Sequence, residues 1–560
     1  MLNDDENVVV EADGHINRPM VGWYDPGQLI QTAASVVVST LFGRHADFRL
    51  MEALAKQSEA HSFDTGEDKP FWFDYAADVG DGWNSTYAVA YWLAQPTLNL
   101  KDSDGNEHFT ERGKILIFGG DAVYPVASRS AYQEKLISPY KMALAQTDEA
   151  NSPTVFAIPG NHDWYDSLAA FMRLFCSKRW FGGWRTEQTA SYFAVKLPHG
   201  WWLIGADIQL DSDIDDPQVK FLSSVAEKMQ ESDRIILCVA EPHWIYASIY
   251  GANDKDFNEN NLAFIEQKIF KSKIEIFIAG DLHHYRRHQS PANVQKITAG
   301  GGGAFLHPTH GPAVQTLADQ FELKKSYPDK KTSRRLGWGN LLFPLRNPTF
   351  GLVTGVLYLL TGWTTNLDLS SYQLSNIADA LCETFRAALN EPLAAFWITV
   401  AFLGFYLFTD THSKTYRYVA GTIHGVAHLV AVFFLGWAAS RLLVSQFGLH
   451  FGSTPQMLLT GLFMLGGGWL FGSIIMGIYL FISLNIFARH SNEAFSSLKI
   501  EDWKNFLRIK IDADGKLTIF PIGLRRVPRK WKKIAKPGLS SSIIPDDKQA
   551  TAPELIERPV

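Results

Sequence analysis

The apolar residues of this chain change their arrangement near its middle. Up to about Gln320, short apolar runs alternate with polar turns: Lys-Ile-Leu-Ile-Phe (114–118), Thr-Val-Phe-Ala-Ile (154–158), Arg-Ile-Ile-Leu-Cys-Val (234–239), Ile-Glu-Ile-Phe-Ile (274–278) and Val294–Thr298. Runs of this length, bounded by Gly, Asn and Asp, predict buried strands of an α/β domain. Thr32–Phe42 is apolar but short and broken by small polar residues, so a core helix is expected there rather than a span. From Pro348 the apolar stretches lengthen: Pro348–Asn366, Pro392–Thr409, Tyr418–Ala439 and Pro455–Phe487, which together predict four membrane crossings. The last is over-long and carries Gly466, Gly467 and Gly468, so it is expected to tilt, break or run beyond the bilayer.

The flanking charges suggest an orientation. Lys324, Lys325, Lys330, Lys331, Arg334 and Arg335 precede the first stretch, Lys414 and Arg417 follow the second, and Arg525 to Lys536 follow the fourth. Basic segments stay on the cytoplasmic side, which makes this a multi-pass membrane protein with its N-terminal domain facing the cytoplasm. The tail is polar again, with a β-hairpin expected around Asp514-Gly515, a basic segment after it, and disorder from Ser540 to Val560. The expected layout is an N-terminal extension (1–69), a catalytic domain (70–320), a basic linker (321–347), a membrane region (348–487) and a cytoplasmic tail (488–560).

The 560 residues exceed one ordinary core, and the net charge of −6 excludes a general nucleic-acid partner. Cys176, Cys238 and Cys382 form no CxxC pair, so neither a disulfide framework nor a thiolate zinc site is expected. The acidic Met-Leu-Asn-Asp-Asp-Glu-Asn start lacks the pattern of a secretory signal.

The candidate chemistry sits where the strand-like runs end. Gly-Gly-Asp121-Ala-Val-Tyr124, Gly160-Asn161-His162-Asp163, Glu241-Pro242-His243 and Gly280-Asp281-Leu-His283 each place oxygen or imidazole donors straight after a buried run. Four such clusters in order read as a metal site. Asp78 in Asp78-Val-Gly80 supplies a further carboxylate, with Asp74 and Asp81 as competitors.

This order of motifs resembles the calcineurin-like metallophosphoesterase superfamily over about residues 70–310. The Tyr three residues after the second Asp looks like purple acid phosphatases. The resemblance implies a β-sandwich flanked by helices, here followed by an α-helical transmembrane region. It also implies a dinuclear centre of Mn, Fe, Mg or Zn. Asp78, Tyr124 and His283 would complete one site, Asn161, His243 and Asp281 the other, and Asp121 would bridge them. His162 would give a proton to the leaving oxygen, with Asp163 orienting and charging its ring. The family's Gly-His-x-His is Gly280-Asp281-Leu282-His283 here. Either Asp281 ligates and favours harder cations, or it stands behind the ligands and His284 turns inward. His284, Arg286 and His307 are the candidate substrate contacts. The expected substrate is a phosphomonoester or phosphodiester, with lipid-linked phosphates favoured by the bilayer. The competing reading is a degenerate domain serving as a ligand sensor. In the third apolar stretch, His424 and His428 share one helix face, which suits a metal, a haem, a proton path or plain interhelical packing.

Overall fold

The run Phe71–Ala76 sends alternate side chains into two different interiors. In the computed structural model of the chain, Phe71, Phe73 and Tyr75 enter a core shared by two sheets, whereas Trp72 and Ala76 pack into a separate cluster with helical residues. The structure describes residues 18–31, 58–64, 66, 69–102, 104–145, 151–209, 214–250, 257–271, 273–366, 376–409, 413–533 and 543–560. The expected core helix at Thr32–Phe42 lies outside the described residues. The chain forms two units: Met1–Val21, Gln31–Thr332 and Lys499–Val560 make one, and Gly22–Ile30 with Ser333–Leu498 the other.

The first unit is a mixed α/β sandwich. One sheet runs Glu554–Leu555, Leu517–Leu524, Lys504–Ile511, Phe71–Ala76, Ile115–Gly119, Thr154–Ile158, Trp184–Thr186, Trp180–Phe181. The other runs His61–Ser62, Phe193–Lys196, Trp201–Gly205, Arg234–Cys238, Ile274–Ala279, Gln295–Ala299, Tyr285–Gln289, Glu322–Tyr327. Both have parallel centres and antiparallel flanks. Phe73, Ile117 and Phe156 from the first sheet meet Leu203, Ile236 and Ile278 from the second. Each such side chain contributes about 1.5–3 kcal/mol by leaving water. Register then fixes the site. Ala76 pairs with Phe118 and Gly119 with Ile158; Cys238 pairs with Ile278 and Ala279 with Thr298. The parallel strands therefore end level, and the loops after them leave from one rim.

The tail is part of this sandwich. The hairpin around Asp514-Gly515 forms as expected, but its first strand pairs with Phe71–Ala76 along five positions, Leu507↔Tyr75 to Ile511↔Phe71. Disorder after Ser540 is corrected for 543–560. Ile543–Pro545 pairs with Trp531–Lys533, and Glu554–Leu555 extends the sheet, because Ile543, Leu555 and Ile556 are buried in the cores. Within the basic segment, Trp531–Lys533 is thus half of a two-stranded ribbon. The aromatic stretch 178–185 is a short hairpin at the sheet edge, with Trp184 buried.

Asp74, a competitor for the metal site, is bound elsewhere. Its Oδ1 accepts from Arg508 Nε at 3.0 Å, and its Oδ2 accepts from Gly113 N at 3.0 Å. Arg508 also donates to Leu93 O at 3.1 Å, and both charged side chains are at most 2 % exposed. Removing one member strands a buried charge, so Asp74→Ala is expected to lower unfolding free energy by about 3–5 kcal/mol. Denaturant unfolding measures this; a change below about 1 kcal/mol would refute the pairing.

The second unit is helical, and it corrects the count of crossings. Among the described residues, two helices are long and apolar enough to cross a membrane, Lys414–Ser445 and Thr454–Asn485, each of 32 residues. Ile377–Asn390 and Pro392–Leu407 would add a third only if that pair, bent by 101°, is one span. Pro348–Asn366 is helical, but Thr349, Thr354, Thr361, Thr364 and Thr365 dilute its hydropathy. The glycines at 466–468 do not break the last helix, which passes them in a wider π-type turn at Gly468–Gly472. A Cβ on Gly468 would lie 2.7 Å from Tyr358 Cβ, so glycine lets two helices approach closely. His424 and His428 are buried with their Nε2 atoms 3.2 Å apart, and His428 Nδ1 lies 2.7 Å from the Tyr358 hydroxyl. Phe405 stacks on His428 at 3.4 Å between ring centroids, so the pair takes part in interhelical packing.

Candidate metal centre

Asp78, Asp121 and Asp281 each follow a parallel strand, and each has a left-handed backbone, with φ of 57°, 44° and 64°. Asp tolerates that region better than most side chains, and a sharp turn there aims the carboxylate back across the rim. The first two loops are zipped together: Asp78 N donates to Gly120 O at 3.1 Å, Val79 N to Asp121 O at 3.1 Å and Tyr124 N to Gly80 O at 2.8 Å. Neighbouring loops press on these carboxylates, within the first sheet and from the second. A Cβ on Gly160 would lie 2.1 Å from Asp121 Oδ1, and one on Gly300, from the second sheet, would lie 2.2 Å from Asp78 Oδ2. Glycine is required at both positions for the carboxylates to fit.

Three acceptor atoms converge on one phenol oxygen. Tyr124 Oη is 3.1 Å from Asp78 Oδ1, 3.0 Å from Asp121 Oδ2 and 2.9 Å from His283 Nε2. His283 Nδ1 lies 2.7 Å from the Phe305 carbonyl, so Nδ1 carries the hydrogen and Nε2 presents a lone pair. One phenol proton thus faces three acceptors, and Asp78 Oδ2 is buried without a hydrogen-bond partner. Separations near 3 Å are those of adjacent ligand atoms around a six-coordinate cation with bonds of about 2.1 Å. The donor set fits a cation. It does so only with the phenol, since among the described residues no three His, Cys, Asp or Glu side chains form a metal-holding group by themselves.

The charge balance agrees. Burial, and then repulsion from Asp121 and Asp281, holds the Asp78 carboxyl well above its ordinary range. Burial pushes Asp121 up to about 6, and burial followed by the Asp121 charge pushes Asp281 up to about 6. Metal-free protein is therefore expected to lose stability as pH rises from about 4 to 6. Unfolded carboxyls ionise near 3.8 while the folded ones keep their protons, so the unfolded state binds fewer protons and the slope is negative. For Asp121 alone the loss is about 3 kcal/mol. Thermal midpoints across that range, with and without Mn²⁺, measure it; a midpoint that climbs with pH in the metal-free protein contradicts it.

On the same rim Asp281 Oδ2 accepts a hydrogen bond from the Tyr246 hydroxyl. His243 is buried at the start of the helix His243–Tyr250, and Asn161 follows the Thr154–Ile158 strand. A Cβ on Gly120 would stand 2.9 Å from Ala240 Cβ and 3.6 Å from Gly160 Cα, so the loops carrying Asp121, Asn161 and His243 adjoin. Asp81, the other competitor, accepts instead from Val21 N at 2.8 Å and Phe305 N at 3.3 Å.

His162 lies beside this centre. Its backbone N donates to Asp121 Oδ1 at 2.9 Å, and its Nδ1 donates to the Pro125 carbonyl at 2.6 Å. The orienting part of the role expected of Asp163 needs correction. Its carboxylate accepts from Tyr132 Oη at 2.6 Å, Gly160 N at 3.0 Å and Ala122 N at 3.1 Å, so it joins two site loops, and Pro125 orients the imidazole, while the Asp163 charge still raises the His162 pKa. Two of the expected substrate contacts are enclosed by the fold. Arg286 is 2 % exposed and donates to the Thr309 carbonyl at 3.4 Å, and His284 is 1 % exposed. His307 is stacked on His283 at 3.9 Å between centroids.

Sequence reasoning missed Tyr246, Pro125 and Lys504. Tyr246 had a usable signal, standing three residues after His243 and hence on the same helix face. Lys504 had none: its ammonium reaches the Ala304 carbonyl from a strand 200 residues away.

Residues 73–289 match the family model for calcineurin-like phosphoesterases. No curated protein matches the chain. Among solved structures it is similar to one titled "GAP50 the anchor in the inner membrane complex of Plasmodium", at 13% identity over 45% of this chain and 78% of that one, with a TM-score of 0.31.

Proposed function

From a calcineurin-like phosphoesterase domain at residues 73–289, joined to helices able to cross a membrane, we propose a membrane-anchored, metal-dependent phosphoric ester hydrolase. The convergence of Asp78, Asp121 and His283 on the Tyr124 oxygen carries the reading. Asp78, Tyr124 and His283 would hold one cation and Asn161, His243 and Asp281 a second, with Asp121 available to both. Bound there, two cations would lower the pKa of the attacking water and neutralise phosphoryl oxygens. The protein's own part is to keep His283 neutral, to aim the carboxylates, and to deliver a proton from His162 Nε2 to the departing oxygen.

Basic segments around the apolar stretches support a domain facing the cytoplasm. Tethering raises the effective concentration of membrane-borne esters, which favours a lipid-linked phosphate among monoesters and diesters. The test uses the purified full chain with Mn²⁺, elemental analysis, and a panel of aryl and alkyl phosphates, diesters and a phospholipid in vesicles. Turnover with two metal equivalents supports the proposal. Bound metal without turnover of any ester would make the domain a ligand sensor instead.

A further inference from the structure

The Gly280-Asp281-Leu282-His283 segment puts a carboxylate where an imidazole stands in Gly-His-x-His, and the structure shows what accompanies it. Its backbone is fixed from both sides. Gly280 N donates to Ala240 O at 3.0 Å, Leu282 N to Gly280 O at 2.8 Å, and a Cβ on Gly280 would press on Ala77 Cβ at 2.7 Å. With the backbone held, the direction of the Asp281 carboxylate depends on what binds its oxygens. Oδ2 is taken by the Tyr246 hydroxyl. Tyr246 itself sits one turn after His243 on the helix His243–Tyr250, whose start is secured by Ile245 N donating to Pro242 O at 2.8 Å.

The pairing follows from donor and acceptor accounting. A ligating imidazole turns its second nitrogen outward as a donor and needs an acceptor behind it. A ligating carboxylate turns its second oxygen outward and needs a donor. A phenol can supply that donor, and here the Tyr246 hydroxyl gives it to Asp281 Oδ2. We infer that Tyr246 is a positioning residue: it holds Asp281 Oδ2 so that Oδ1 alone faces the metal centre. The Tyr246–Asp281 pair thereby makes this position a single-oxygen ligand selective for oxygen-seeking cations such as Mn²⁺ over Zn²⁺. This rests on the two-metal reading of the site.

The test is metal binding, independent of turnover. Equilibrium dialysis of the purified full chain against Mn²⁺ and Zn²⁺, with elemental analysis, is compared among wild type, Tyr246→Phe, Asp281→Asn and the double variant. Tyr246→Phe is expected to weaken one of two Mn²⁺ equivalents about 10–100-fold while leaving the other unchanged. The Mn²⁺ to Zn²⁺ preference of that equivalent is expected to fall. The double variant is expected to match Asp281→Asn within about twofold, because Tyr246 acts through Asp281. Two equivalents in the wild type, with unchanged affinity in Tyr246→Phe or with losses that multiply in the double variant, overturn the inference alone. Fewer than two equivalents in the wild type at saturating Mn²⁺ overturns the two-metal reading and the inference with it.

Discussion

Asp121→Asn is expected to lower turnover by on the order of 10³-fold and to reduce both metal equivalents together. The Asp121 carboxylate is committed in two directions at once: Oδ2 lies 3.0 Å from the Tyr124 oxygen, and Oδ1 takes the His162 backbone N–H at 2.9 Å. Asn keeps the size that the space against Gly160 demands, and its carbonyl can still accept from His162, so the loop has no reason to collapse. What it loses is the charge. That loss predicts a second, opposite effect. Because burial already pushes the Asp121 carboxyl up to about 6, removing the charge relieves a cost in the metal-free protein. The metal-free variant is therefore expected to be as stable as the wild type at pH 7, or more stable. Elemental analysis, steady-state rates and thermal unfolding measure the three effects. Metal content equal to wild type in an inactive variant would remove Asp121 from the shared position.

The same division between local and distant information explains what the sequence could convey. Asp78, Asp121, Asn161, His243 and His283 were legible because each is written beside its own strand: an apolar run supplies the aim, and the next few residues supply the donor. The sandwich was legible for the same reason. Asp74 was ambiguous because its partner Arg508 lies 434 residues onward, beyond the helical unit, and no local pattern announces a strand added from so far away. The sheet membership of the 504–524 hairpin was hidden in the same manner, as was that of Glu554–Leu555. Asp163 misled because adjacency in sequence to His162 suggested contact. The 3-10 turn Asp163–Asp166 instead directs the carboxylate toward Ala122, Gly160 and Tyr132. Among the described residues the four apolar stretches yield two helices with the length and hydropathy of a span, because threonines dilute Pro348–Asn366, and several of them bond back to carbonyls of their own helix.

His162→Ala is expected to act selectively. Turnover of an alkyl phosphate should fall by about 10²–10⁴-fold, whereas that of an aryl phosphate with an acidic leaving group should fall by less than about 10-fold. The reasoning starts from the ring's fixed orientation. Nδ1 is committed to the Pro125 carbonyl at 2.6 Å, and the ring is held against Tyr124 and Tyr165, with centroids 4.4 Å and 5.2 Å away. With Nδ1 so committed, proton exchange is assigned to Nε2. Burial lowers the His162 pKa, with the neighbouring Asp163 charge acting in the opposite direction. A depressed pKa makes the protonated ring a stronger acid, which matters most when the departing oxygen is a strong base. An alkoxide needs that proton as it leaves; a nitrophenolate does not. The comparison of leaving groups therefore separates proton donation from a structural defect, since a displaced loop would slow every ester alike. A series of phosphates of graded leaving-group pKa, assayed with metal occupancy confirmed, should give a steeper dependence for the variant than for the wild type. Parallel lines for the two proteins would assign the proton to another group and leave His162 as part of the wall beside Tyr124.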